Sequence, residues 1–187
     1  MKTGRAAAVA LAAGPRLVGK WDVQLAPEDQ ERFVYHAAQG LGRDAAAWVR
    51  DSERVITRQS HAAFRALLDD LQAEDAVVEA AAVIGDSLEY PGSLADIVKS
   101  HNRLHTAEGV LYRRAVVDAL HDLGVDCELV PAKLLPAADA VTVLGKVPPP
   151  WRKEQKDAAR AALSLARSGA HGSSPRTASG ARRRRPG

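Results

Sequence analysis

The chain has 187 residues, 46% of them hydrophobic, 26% charged and 4% aromatic, with a formal net charge of +3. That suffices for one core in a single domain over 1–167. No apolar run approaches the roughly 18 to 20 residues needed to cross a membrane, and one cysteine, Cys127, excludes an intramolecular disulfide framework and fits a reducing, cytoplasmic setting. Residues 168–187 hold five arginines (Arg176 and Arg182 to Arg185) and no acid, which leaves 21 basic against 23 acidic side chains in the rest; any electrostatic contact with nucleic acid is therefore expected from the tail.

Met1 to Ala13 superficially resembles a secretory leader, but its alanines make a weak apolar run. It pairs more naturally with Arg16 to Leu25 across the turn at Ala13-Gly14-Pro15, as a β-hairpin. Glu31 to Ala37 (ERFVYHA) follows a Pro27-Glu28-Asp29 turn and reads as a third strand. From Asp44 to Ala73 the apolar positions Trp48, Val55, Phe64, Leu67, Leu68 and Leu71 recur at helical spacing. Ala76 to Ile84 is a short, nearly all-apolar run, expected of a strand buried on both faces.

Pro91-Gly92 interrupts the chain, and Ser93 with Asp96 has the spacing of a capping box. Ser93 to Leu123 then reads as one long helix. Leu94, Ile97, Val98, Val116, Ala119, Leu120 and Leu123 form its apolar stripe. The middle of that stripe is polar: at about 100° per residue, His101, His105, Glu108 and Tyr112 fall within roughly 60° of one another. Polar groups on a core-facing line must find partners or line a cleft, because burial without partners costs several kcal/mol. Gly124 ends the helix, Asp126 to Val130 is a last strand, and an irregular passage leads through Pro148-Pro149-Pro150-Trp151 into a helix from Lys153 to Arg167. The Gly-, Ser- and Arg-rich residues 168–187 are expected to be disordered. This order predicts an α/β fold: a mixed sheet with a three-strand meander, then alternating helices and strands, and a C-terminal helix.

The polar stripe carries the chemistry. His101 and His105 have the i, i+4 spacing of a helical metal-ligand pair, with Glu108 or His36 available as a third ligand for a divalent ion. Asn102 stands where a zinc protease has its glutamate base, so that class is not indicated. A metal site, a metal-free pocket and a hydrogen-bonded structural cluster all remain open on these residues. Glu108 beside histidines suits a general base or an imidazole-orienting group, and Tyr112 with Arg113 suits a clamp for phosphate or carboxylate. Arg113 equally suits the solvated flank of an amphipathic helix. Trp151, Lys153 and Lys156 surround a helix start where backbone donors can hold an anion, unless Trp151 simply fills the core. No phosphate-binding glycine loop, dinucleotide fingerprint or serine-nucleophile elbow occurs.

Three segments, YHAAQGL (35–41), SHNRLHTAEGVLYRRA (100–115) and PPPWRKEQKDAARAAL (148–163), look like signature segments of a group of uncharacterised bacterial proteins, and the element order is similar to the ribonuclease H-like fold, including Holliday-junction resolvases. The resemblance implies a first-strand aspartate and further acids near the fourth strand and on the last helix, because such nucleases hold two divalent ions with carboxylates. Arg5 to Ala12 contains no acid. Asp86 or Glu89 can stand for the fourth-strand acid, and Asp157 resembles the first acid of the last helix, but Arg160 occupies the place of the second. The polar stripe and the resemblance together suggest a degenerate domain whose cleft, lined by His36, His101, His105, Glu108, Tyr112 and Asp157, binds nucleic acid or a phosphorylated ligand. If it is an enzyme, a metal-dependent hydrolase or nuclease is expected, with Glu108, His101, His105 and Asp157 as catalytic candidates. The competing reading is a non-catalytic interaction module that has lost its metal acids.

Overall fold

The structure, a computed structural model, describes residues 3–172, with side chains to residue 166. The first elements are the strands β1 (Arg5–Ala12) and β2 (Arg16–Gln24), which form the expected antiparallel hairpin with Ala8 opposite Trp21 and a register shift between Ala10 and Leu11. Helix α1 (Val34–Ala38) comes next, followed by the long α2 (Ala45–Ala73) and strand β3 (Ala80–Ile84). Helices α3 (Leu94–Ile97) and α4 (His101–Asp122) then lead to β4 (Asp126–Val130), and α5 (Lys153–Gly172) closes the described chain. Strands β3 and β4 pair in parallel, Val83 opposite Leu129, with α3 and α4 as the crossover between them. That is the connection the strand–helix–strand order requires.

Three expectations are corrected. The third strand is a helix: Val34, Tyr35 and Ala38 are buried at helical spacing in α1, and the meander is absent among the described residues. Nor is there one mixed sheet, because the hairpin and the parallel pair are separate two-stranded sheets there, with α5 packed against both β1 and β3. The apolar run before Gly85 forms a strand only from Ala80, and of its five residues only Val83 is buried, so it is not enclosed on both faces.

The long helix at 93–123 is two helices. Ser93 caps α3 through the expected reciprocal box with Asp96, each donating a backbone N–H to the other's side chain at 3.2 Å. Ser100 then takes an extended conformation (φ −130, ψ 114) and its hydroxyl accepts from Arg103 N, starting α4 afresh. At the other end Gly124 adopts φ +78, a left-handed conformation that closes a helix without the steric cost a Cβ would bring.

The main core lies between α2 and α4. The inward face of α2 is Val49, Ser52, Ile56, Ser60, Phe64 and Leu71: Phe64 and Leu71 are buried as expected, while in the first half of the helix the buried positions lie one residue on from Trp48 and Val55. Small serines admit close neighbours: Ser52 Oγ accepts from Gln30 Nε2, and Ser60 Oγ donates to Leu25 O. Trp48 is half-buried and donates its indole N–H to Val34 O, pinning α1 to α2. A second, smaller cluster unites Val141, Ala159 and Leu163 with Val9, Leu11 and Trp151. Helix α5 continues to Gly172 rather than ending at Arg167, and the rest of the expected disordered tail, 173–187, lies outside the described residues. Among the described residues, no helix is long and apolar enough to cross a membrane.

Candidate functional site

The polar stripe of α4 divides by depth. Glu108 and Tyr112 are buried, whereas His101 and His105, on the first turns of the helix, are exposed. The reason is α1. A five-residue helix presents unsatisfied N–H groups at its start, and Phe33 at its N-cap position offers no side-chain acceptor. Glu108 supplies one from across the core. Its Oε1 accepts Tyr35 N at 2.8 Å and His36 N at 3.2 Å, and lies 3.3 Å from His36 Nδ1. A carboxylate at the positive end of a helix is favourably placed, so Glu108 acts as a long-range cap. Its second oxygen, Oε2, is buried without a hydrogen-bond partner. Burial pushes the Glu108 carboxyl above the usual carboxylate range, against the bonds from His36 and Tyr35, which act in the opposite direction.

Tyr112 completes the tie. It is 2% exposed, and its hydroxyl donates to Arg32 O at 2.8 Å, on the segment leading into α1. Burial raises its pKa, and the nearby Glu108 carboxyl adds to the effect. With Tyr112 below and Glu108 alongside, α1 holds His36 over the start of α4.

Here three imidazoles converge. His101 Nε2 and His105 Nε2 are 3.1 Å apart, and the His36 ring centroid lies 4.8 Å from that of His105 and 6.0 Å from that of His101. One ligand atom from each of the three falls within 4.8 Å of the others. Phe33, 47% exposed, packs edge-on against His36, and a shallow depression of about 380 Å³ lined by Glu31, Phe33, His36 and Ala37 adjoins the cluster. Tris-imidazole donor sets suit borderline divalent metals, and this one has a carboxylate behind one ring.

The remaining candidates sit elsewhere. Arg113 turns toward the loop after β3: its Nε donates to Ser87 O at 3.2 Å, and its chain lies across Gly85, where a Cβ would meet Arg113 Cδ. Burial lowers the Arg113 pKa, while the nearby Asp86 opposes that shift. Arg113 thus serves the β3 loop. Trp151 is half-buried against the small cluster beneath α5, as a core plug would be. Asp157 is ion-paired on both oxygens, to Lys153 Nζ at 2.6 Å and Arg160 Nη1 at 2.7 Å, and Arg160 also donates to Pro136 O. Burial is the largest influence on Asp157 and raises its pKa, yet the bonds and charges of Lys153 and Arg160 together hold it below the usual value. Lys156 is exposed.

Other residues carry no signal in the sequence. Glu53 on α2 accepts both Tyr35 OH at 3.0 Å and Tyr90 OH at 2.7 Å through one oxygen, and Arg114 lies 5.3 Å over the Tyr90 ring. Burial raises both phenol pKa values. By contrast, Arg50, Arg54 and Arg58 recur every fourth residue along α2, a regular spacing present in the sequence. With Glu53, Thr57, His61 and Asp122 they line a groove of about 480 Å³. Cys127 is partly buried on β4, and burial pushes its thiol up to about 11, as suits a packing rather than a nucleophilic cysteine.

No protein-family model and no curated protein sequence matches the chain. Among solved structures, the chain is similar to T. thermophilus RuvC in complex with a Holliday junction substrate, with a TM-score of 0.50 and 19% identity over 90% of this chain and 94% of that one. At that identity the likeness shows a shared α/β fold with that structure and nothing of role.

Proposed function

We propose that the protein is a nucleic-acid-binding domain on a RuvC-like scaffold that holds the phosphate backbone without two-metal cleavage. The likeness carries this reading, because it extends over nine-tenths of the chain to a protein whose structure contains a Holliday junction. The arginine row Arg50, Arg54 and Arg58 on α2 supplies cations at one-turn intervals, and the five arginines of residues 168–187 supply more.

The acids support the non-cleaving half. β1 contains none, and Asp157 already has a cation on each oxygen, which makes it a poor ligand for magnesium. Phosphate contacts of this kind position a duplex and specify little of its sequence, so structure-selective binding is expected rather than sequence-selective binding.

The test is a titration of the full chain against a labelled four-way junction, a duplex of equal length and a single strand, at several salt concentrations with magnesium or manganese present. We expect binding that weakens steeply with salt and leaves the junction intact. Absence of binding to all three at low salt overturns the reading. Cut junction would overturn its non-cleaving half.

A further inference from the structure

We propose that His36, His101 and His105 form a binding site for one divalent transition-metal ion, zinc by its donor set, with three imidazoles and an open fourth position. The site goes beyond nucleic-acid binding and stands independently of it. The three rings come from two elements that only the folded chain brings together. His101 and His105 are one turn apart on α4, and His36 lies above them on α1.

The distances fit the ion. Zinc–nitrogen bonds of about 2.0 to 2.1 Å in tetrahedral array place ligand nitrogens about 3.3 Å apart. The His101 and His105 Nε2 atoms are already 3.1 Å apart, and one donor from each of the three lies within 4.8 Å of the others, so the third must close by at most about 1.5 Å to reach tetrahedral spacing. The tautomer follows from the carboxylate. With Nδ1 turned to Glu108 at 3.3 Å, His36 keeps Nε2 for the metal, the carboxylate–histidine–metal arrangement in which an outer acid fixes ring orientation and raises ligand basicity.

Charge points the same way. Glu108 is buried with one oxygen unpartnered, and among the described residues the cation-forming side chain bonded to it is His36. A dication beyond the ring supplies positive charge along that axis. The fourth position remains for water or a small anion, and the depression lined by Glu31, Phe33, His36 and Ala37 gives it room.

The experiment uses the full chain, stripped with a chelator and titrated with zinc by calorimetry and with cobalt by visible absorption. The expected result is one equivalent of zinc per chain, a four- or five-coordinate cobalt spectrum, and loss of both in His101→Ala and in His105→Ala. Both side chains are exposed, so the metal-free variants should keep the parent's circular dichroism. His121→Ala, at the far end of α4, should bind as the parent does. Glu108→Gln should weaken zinc by about 10- to 100-fold, the usual effect of removing an outer-shell carboxylate. Zinc uptake below one equivalent by the parent, or unchanged affinity in His101→Ala and His105→Ala, overturns the site.

Discussion

The two acids singled out in the sequence, Glu108 and Asp157, have opposite surroundings. Glu108 is buried under α1, takes backbone N–H donors from Tyr35 and His36, and has its carboxyl raised by burial. Asp157 lies at the edge of α5 between Lys153 and Arg160, which outweigh its burial and lower it. One carboxylate serves as a helix cap inside the core; the other serves as a counter-ion near the surface. Identical chemistry in a sequence therefore says little about role until the donors are known, and the side of the molecule containing α1 and α4 is where polar groups determine stability.

The contrast can be broken most directly at Glu108. Glu108→Ala leaves two helix-start N–H groups without an acceptor and a cavity beside them, so we expect a loss of about 3 kcal/mol in urea unfolding. A loss no larger than that of an Asp157 variant would remove the distinction. Glu53→Ala strands two phenol hydroxyls and should cost about 2 kcal/mol by the same measurement. Tyr112→Phe, which removes one bond to Arg32 O, should cost about 1 kcal/mol.

The smallest effect is expected at Asp157, where solvent screens the pairs: Asp157→Asn should cost about 0.5 kcal/mol at neutral pH. Because the folded carboxyl lies below its ordinary value of 3.8, its contribution is complete above that value and is lost as pH falls through the lowered one. Parent and Asp157→Asn should thus converge in thermal stability in strong acid and separate above about pH 4. A constant separation across that range would show that charge is not the cause.

What the sequence revealed follows from the range of the forces involved. The β1–β2 hairpin, α2, the Ser93–Asp96 box and the parallel β3–β4 pair all rest on contacts within a few turns or on a simple crossover, and periodicity reports these well. ERFVYHA has strand-like residues, and the helical start of α1 is completed by Glu108, 73 residues from Tyr35, so nothing local announces the helix. The break before α4 has a legible sign, Ser100 at an N-cap, masked because the apolar stripe before it and the polar one after it fall on the same helical face. The His101–His105 pair was legible as spacing, and His36 entered it as a strand-end candidate but arrives on a helix. Glu53 had no local signal, since its role is set by Tyr35 and Tyr90 from separate segments.

The separation of 72 residues between His36 and Glu108 also bears on how the molecule forms. In the unfolded chain His101 and His105 remain neighbours, but His36 joins them only after a long loop has closed. That entropic cost rises with the logarithm of loop length and is met by contacts that form together. The encounter of α1 with α4 is therefore expected late along the folding route, with mutations there accelerating unfolding more than they slow folding.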